Sequence, residues 1–298
     1  MSLNLMMTLV LNGLANGMVY AMLSMGLILL IRSVGVMNFA QGDMLALGAF
    51  LGYMFLVQAN LPLWAAILCC LVCYAFIGLM FMGCIYLPLK DSKYPIAIVV
   101  ATIGTSTVLR EAITLIWGAE PLPVPYLLTN PETGGGLALR IGTVSIQWQL
   151  IITIAIGAII IFLLNMLYEK FFVGKMMEAS CQDKYAAELI GVPTMITISI
   201  TYILAISMGC IGGFLVAPMY SASTSLSSLQ LRAFASVIIG GTRSIKGAVI
   251  GAVLVGLIES FATINFSNYK TAVIFIIIIV FLLIKPDGLV KSKIGDKA

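Results

Sequence analysis

Long apolar runs, separated by short polar segments, make up most of this chain. They recur over all 298 residues, and several approach the roughly 20 residues that an α-helix needs to cross the hydrocarbon core of a bilayer. The alternating segments of about ten residues that characterise membrane β-barrels are absent, which favours helices. The apolar runs predict helices at 5–31, 43–58, 62–88, 94–118, 147–171, 193–217, 229–241, 247–264 and 269–285.

Two of these predicted helices, 43–58 and 229–241, are short for a membrane span. The first follows a polar stretch containing Gly42, and the second ends in the glycine pair at 240–241. In transporters, short or glycine-interrupted helices often mark discontinuous helices beside the transport path, although a tilted span would have the same length. We predict an all-α polytopic membrane protein with eight to nine transmembrane helices, one or two of them short or discontinuous, in a single domain over 1–298.

The composition supports this class, and the distribution of charge predicts a topology. Mean hydropathy is +1.11, and only 9% of residues are charged, which is more apolar surface than a soluble core needs. Basic residues cluster between predicted spans, whereas 119–147 contains only Arg140, so the positive-inside rule makes 119–147 an extracytoplasmic loop and the C-terminus cytoplasmic. The basic clusters are Lys90 and Lys93; Lys170, Lys175 and Lys184; Arg243 and Lys246; and Lys285, Lys291, Lys293 and Lys297.

Two segments between predicted spans have structural signals of their own. Residues 137–146, inside the extracytoplasmic loop, have the pattern of a short β-hairpin turning near Gly142. Of the 16 basic and 12 acidic residues, seven lie within 169–188. Charged side chains avoid lipid because their desolvation is costly, so this helix-compatible segment must lie in water. It therefore offers a surface to a soluble partner.

Few residues have catalytic or metal-binding potential. The sequence contains no histidine, and five of its six cysteines fall in predicted apolar helices, where they act as small apolar side chains. It also contains no GxxxxGK[ST] phosphate-binding loop, so any nucleotide would be hydrolysed by another chain. We expect a non-catalytic subunit with no cofactor and no metal.

Polar residues inside the predicted helices are candidates for a solute path. Asp43 begins a helix, where it could simply cap the N-terminus. Arg110 and Glu259 lie toward the ends of their helices, and Arg232 completes the charged set; this placement disfavours ion coupling, which usually requires acidic groups near the midplane. The hydroxyl-rich stretch 102–107 could pass a polar solute, and hydroxyls that bond back to their own helix explain it equally well.

Two long motifs resemble those of a known family. The stretch 35–43, GVMNFAQGD, is similar to the MNFAHGE-type signature of the branched-chain amino-acid permeases of bacterial ABC importers, and most closely to their LivH-like group. Residues 174–192 resemble the family's cytoplasmic coupling segment in spacing. Shorter similarities at 209–213, 239–248 and 285–289 follow in the same order, so the resemblance covers nearly the whole chain.

The sequence departs from the family pattern at three of these positions. Gln41 and Asp43 stand where histidine and glutamate are common, beside the implied path, which puts the identity of the solute in question. Glu178 stands where arginine is common, which alters the charge at the implied ATPase contact.

The resemblance implies a permease subunit of a binding-protein-dependent importer in the bacterial inner membrane, carrying branched-chain or related amino acids. Its implied partners are a second, LivM-like permease, two ATP-binding subunits and an extracytoplasmic solute-binding protein, with no nucleic acid. The coupling segment would be 172–192, through Glu178, Ala179, Asp183, Ala187 and Gly191; the path would involve Asn38, Gln41, Gly42, Asp43, Thr102, Thr105 and Ser106. A urea or amide permease of the same family, or an ion-coupled secondary carrier, stays open as an alternative.

Overall fold

The computed structural model describes residues 3–35, 37–90, 92, 94, 96–128, 136–141, 144–241, 244–265, 269–285 and 288–290. Its helices are α1 (Leu3–Val34), α2 (Gln41–Tyr53), α3 (Leu63–Phe81), α4 (Leu87–Leu89), α5 (Ile96–Trp117), α6 (Trp148–Lys170), α7 (Phe172–Gln182), α8 (Lys184–Leu189), α9 (Thr194–Tyr220), α10 (Leu229–Gly240), α11 (Ile245–Asn265) and α12 (Lys270–Ile284). A π-helix, Met54–Gln58, extends α2; another, Met82–Tyr86, joins α3 to α4; and a 3-10 helix, Thr224–Ser228, precedes α10.

Among the residues described, six helical segments are long and apolar enough to cross a membrane. They are Leu5–Val34, Leu63–Leu89, Ile96–Trp117, Trp148–Lys170, Thr194–Tyr220 and Ile245–Ile264, with a shorter apolar helix at Thr271–Phe281. A helical, multi-pass membrane architecture is therefore confirmed. The number of crossings, eight to nine, stays a prediction because α2, α10 and α12 are shorter than a full span.

The centre of the bundle is built from α1 and α9, and α2 and α11 pack against them. The most apolar stretches of α1 and α9 are 78% and 72% buried, whereas those of α5 and α6 are 17% and 22% buried, so α5 and α6 lie at the periphery of this chain. Glycines permit the close approach in the centre. A Cβ on Gly48 of α2 would collide with the backbone of Cys210 in α9, and one on Gly213 would collide with the backbone of Leu45.

A β-hairpin lies at one end of the bundle. Strands β1 (Ala138–Ile141) and β2 (Val144–Gln147) pair antiparallel, which confirms the predicted hairpin, although its turn at Gly142 is outside the described residues. The loop that precedes it is tied to the loop after α9 by a bridge between Leu122 and Ala222. We call this the hairpin end.

The opposite end of the bundle, which we call the α7 end, carries α7 and α8. The sequence predicts 172–192 as one helix-compatible segment, but in the structure it divides into two helices at Asp183. The Asp183 carboxylate accepts a hydrogen bond from the backbone N–H of Ala186 at 2.9 Å and so caps α8. Arg32, in the last turn of α1, reaches this end. Of the predicted basic clusters, Lys93, Arg243, Lys291, Lys293 and Lys297 lie outside the described residues.

Candidate translocation site

Two breaks in the helices meet inside the bundle, and the first separates α1 from α2. Gly35 follows α1 with φ +78°, and α2 starts only at Gln41, whose Nε2 donates to the carbonyl oxygen of Ala205 at 2.7 Å. At 1.5 Å per residue, Ala205 lies about 16 Å along α9 from its start near the α7 end. The start of α2 is therefore partway through the bundle, not at its surface.

The second break precedes α10, and one side chain joins it to the first. Gln230, in the first turn of α10, accepts a hydrogen bond from the backbone N–H of Gly42 through Oε1 at 2.8 Å. Its Nε2 donates to the carbonyl oxygen of Asn38 at 3.2 Å. The two short helices that the sequence singles out therefore start side by side. The sequence gives no signal for the role of Gln230, because its partners lie 188 and 192 residues away.

Three of the predicted path residues hold this junction together. Asn38 and Gln41 are 4% and 0% exposed, and Asn38 Nδ2 donates to Gln41 Oε1 at 3.3 Å. A Cβ on Gly42 would collide with the Ser227 carbonyl, so only glycine permits this approach. Because their polar groups form hydrogen bonds within the chain, these residues support the site structurally.

The hydroxyls of the predicted path lie on α5 and differ in what they contact. Thr105 donates to the carbonyl of Ala101 at 2.8 Å, which is the back-bonding that the sequence left as an alternative. Thr102, 2% exposed, donates to the carbonyl of Val99 at 2.8 Å and accepts from the backbone N–H of Phe39 at 3.2 Å. Thr102 therefore attaches α5 to the first break, and Thr105 stays within its own helix.

Asp43 forms an ion pair with Arg110 that the sequence did not predict. Arg110 Nη2 lies 3.2 Å from Asp43 Oδ1, and the hydroxyl of Ser106 donates to Asp43 Oδ2. Arg110 Nη2 also donates to Ser227 Oγ at 3.2 Å. The carboxylate is 2% exposed and the guanidinium side chain 50% exposed. Asp43 is thus held by α5 and does not act as the N-terminal cap of α2.

A cavity of ≈ 550 Å³ opens beside this ion pair. Arg110 lines it together with hydroxyl side chains from the 3-10 helix and from α5, with Gln230, and with the apolar side chains of Phe39, Leu231 and Phe234. The hydroxyl side chains are Ser106, Thr224, Ser225, Ser227 and Ser228. A second cavity, of ≈ 390 Å³, lies between α3, α6 and α9 and is lined almost wholly by apolar side chains, so it offers little to a polar solute.

A second intramembrane ion pair lies between α10 and α11. Arg232 Nε contacts Glu259 Oε1 at 2.8 Å, and the hydroxyl of Tyr20 in α1 donates to Glu259 Oε2 at 2.6 Å. The side chains of Arg232 and Glu259 are only 11% and 8% exposed. This pair joins three helices and is closed to solvent.

The predicted coupling residues cluster on α7 and α8, with different environments. Glu178 Oε1 lies 3.9 Å from Arg32 Nη2, and the Arg32 guanidinium stacks 4.8 Å from the centre of the Tyr168 ring. Ala187 is 3% exposed, so it packs inside this chain. Gly191, with φ +87°, forms the turn that ends α8. Ala179 is partly buried, and Asp183 caps α8.

Several apolar residues near the α7 end are strongly exposed, including Phe172 at 75%. Tyr185, Leu189 and Ile190 on and after α8 are 73%, 71% and 77% exposed.

Burial raises the pKa of the nearby Cys181 thiol, and the Arg32 guanidinium partly offsets this effect, so the thiol is protonated at neutral pH. Within the described part of the chain, no three His, Cys, Asp or Glu side chains are grouped to hold a metal ion.

A multi-pass helical bundle with a charged, hydroxyl-lined cavity beside two interrupted helices is the architecture of a membrane transport protein. Residues 9–282 match the family of branched-chain amino acid transport system permease components, and the chain belongs to that family. This confirms the resemblance that the sequence motifs indicated.

Individual relatives are distant but match along most of their length. The chain is 26% identical over 293 residues to the high-affinity branched-chain amino acid transport system permease protein LivH of Escherichia coli K12, covering 93% of each chain. It is 25% identical to LivH of Salmonella typhimurium and to BraD of Pseudomonas aeruginosa, again over 93% of each chain. Among solved structures, PsaBC from Streptococcus pneumoniae in complex with Fab matches 92% of this chain and 89% of its own, with 14% identity and a TM-score of 0.48.

Proposed function

We propose that this chain is a permease subunit of a binding-protein-dependent ABC importer and forms the path for branched-chain or related amino acids across the bacterial inner membrane. Its partners would be a second, LivM-like permease, two ATP-binding subunits and an extracytoplasmic solute-binding protein. The family match over residues 9–282 is the observation that carries this proposal. The relatives LivH and BraD are permease proteins of high-affinity branched-chain amino acid transport systems.

The position of Arg110 supports a path at the boundary between two permease subunits. Its side chain is half exposed on α5, whose membrane-spanning stretch is only 17% buried within this chain. A charged group at membrane depth must face protein or a water-filled cavity, because lipid would not solvate it. A second permease that covers α5 would enclose the cavity and so complete the path.

The α7 end supports a docking surface for an ATP-binding subunit. Tyr185, Leu189 and Ile190 expose apolar side chains that a protein partner would bury. Glu178 and Ala179 lie on the neighbouring α7, while Asp183, Ala187 and Gly191 fix the shape of α8 from its cap, its buried face and its final turn. The contact between Glu178 and Arg32 would transmit movement of α7 to α1. In this arrangement the α7 end and the C-terminus face the cytoplasm.

The test replaces two exposed apolar side chains, Leu189→Ser together with Ile190→Ser. Burying such a side chain contributes about 1.5–3 kcal/mol, so losing two should weaken association with the ATP-binding subunits by about a hundredfold or more. Co-purification measures association, and ATP-driven leucine uptake in proteoliposomes measures function. Leu128→Ser is the matched control, because this 45% exposed leucine precedes the hairpin and is not part of the docking surface.

Undiminished ATP-driven uptake by the double variant would contradict the docking surface. Uptake by the wild-type chain without any ATP-binding subunit would instead indicate an ion-coupled carrier. Transport of urea or a short amide in place of leucine would support the urea and amide branch of the family.

A further inference from the structure

We propose that Arg110, whose guanidinium Ser227 helps to position, binds the carboxylate of an amino-acid solute at a weak intermediate site in the path. The inference rests on the proposed function and goes further, because it names a contact between this chain and the solute. Neither Arg110 nor Ser227 is in the signature stretch 35–43 or among the path residues that the family resemblance implies.

The ion pair is oriented so that its positive member faces the cavity. Asp43 is 2% exposed and lies behind Arg110, which is 50% exposed. The guanidinium carries five N–H donors, and the contacts to Asp43 and Ser227 use Nε and Nη2 only. Within the described part of the chain, Nη1 donates no hydrogen bond. An anion that enters the cavity would therefore meet a preorganised guanidinium that still has donors to offer.

The remaining cavity wall suits an amino acid with an apolar side chain. The exposed Ser228 hydroxyl beside Arg110 can donate to a carboxylate, whereas the Ser227 hydroxyl already donates to the carbonyl oxygen of Thr224 at 2.9 Å. Phe39, Leu231 and Phe234 provide an apolar part of the wall, with the two phenylalanine rings 5.2 Å apart between centroids, and Gln230 also lines the cavity. The volume of ≈ 550 Å³ lies within the range of about 300–1,000 Å³ that is usual for small-molecule sites.

Asp43 keeps the site weak, which a transport path requires. Its carboxylate already accepts two hydrogen bonds from Arg110 through Oδ1, so a solute carboxylate gains only the remaining donors and is opposed by the nearby negative charge. Binding that is too tight would stop conduction. Asp43 is thus a positioning residue: it orients the guanidinium and limits affinity without contacting the solute.

The experiment measures protection of a reporter cysteine in the cavity. The reporter is Ser225→Cys, in the complete complex of both permeases and the ATP-binding subunits in nanodiscs without binding protein. Neutral iodoacetamide modifies the thiol, and mass spectrometry of that peptide gives the rate, so the native cysteines do not interfere. The probes are leucine, leucinamide, which lacks the carboxylate, and urea.

Leucine should slow the modification and leucinamide should not. With leucine at about twice its dissociation constant, mass action predicts about threefold slowing. Arg110→Lys should retain part of the effect, because it keeps the charge but loses the planar fork of donors. The double variant Asp43→Asn with Arg110→Gln removes both charges together and should abolish the effect. Because leucine and leucinamide are compared in the intact ion pair, the result does not depend on whether that variant folds.

Equal protection by leucinamide would overturn carboxylate recognition, and protection by urea alone would assign the cavity to an uncharged solute. Absence of protection at every leucine concentration would overturn the site. The proposed function has a separate readout, namely ATP-driven uptake by the same reporter complex after addition of the binding protein. Uptake by the reporter complex without protection by leucine removes this inference only. Absence of ATP-driven uptake by the wild-type complex removes the proposed function itself.

Discussion

The two intramembrane ion pairs have the same chemistry and opposite surroundings. Arg232 and Glu259 are 11% and 8% exposed and are completed by the Tyr20 hydroxyl, so this pair joins α1, α10 and α11 in a closed contact. Arg110 is 50% exposed, and its partner Asp43 is 2% exposed, so the second pair has one face in a cavity. Burial, more than residue type, therefore separates a charge pair that is enclosed by the bundle from one that opens onto a cavity and is proposed to meet a solute.

The largest effect should come from breaking the closed pair on one side. Glu259→Gln leaves the Arg232 charge buried without a counterion, and loss of one partner of a buried pair costs about 3–5 kcal/mol. We expect a strong fall in the melting temperature of the detergent-purified protein and a low yield of monodisperse material. The double variant Arg232→Gln with Glu259→Gln, which leaves no unpaired charge, should recover most of the stability. A single variant as stable as wild type would show that this pair does not hold the helices together.

A smaller effect should follow from removing the third member of the closed pair. Tyr20→Phe deletes the hydroxyl that donates to Glu259 at 2.6 Å and leaves a buried carboxylate with one donor fewer. Such a loss costs about 1–3 kcal/mol, which should appear as a moderate drop in the melting temperature. Tyr94→Phe is the matched control, because its ring is 71% exposed and the same deletion there should be neutral. Equal melting temperatures for the two variants would contradict the role of Tyr20.

The smallest effect on stability should come from neutralising the open pair. A partly exposed ion pair contributes about 1 kcal/mol or less, so Asp43→Asn with Arg110→Gln should melt close to the wild-type temperature. Leucine uptake should nevertheless fall, in contrast to the neutralised closed pair, which should transport once it folds. If neutralising the open pair lowered the melting temperature as much as Glu259→Gln does, the open pair would be a structural contact and the comparison would fail.

The fold could largely be predicted from hydrophobic patterning. The helix lengths follow from the lengths of the apolar runs, and the hairpin at 138–147 follows from its local pattern. The glycines that pack α2 on α9 stand in the sequence as pairs four residues apart, Gly48 with Gly52 and Gly209 with Gly213. The break at Asp183 was not predicted, because it depends on one capping hydrogen bond within an otherwise helical segment. The number of crossings could not be fixed, since short helices that start inside the bundle have no length signature of their own.

For the candidate site, the sequence indicated the stretch 38–43 and Ser106, which lines the cavity, but not the contacts between distant residues. The stretch 38–43 does lie at the junction of the two breaks, but the contacts that matter come from distant residues. Arg110 is 67 residues from Asp43, and Gln230 is 188 residues from Gly42. Nothing in the local pattern around Arg110 shows which of the few acids it will meet. Only the packing of α5 against α2 brings these charges together.

The bridge made by Gln230 also has a kinetic consequence. Its amide uses its donor and acceptor on Asn38 and Gly42, so the interrupted backbone has few unsatisfied groups left to detain a passing molecule. In the proposed path, a backbone whose polar atoms are already hydrogen-bonded would give the solute a short residence time. The turnover rate would then be limited by the conformational change of the subunits, and not by dissociation of the solute from the path.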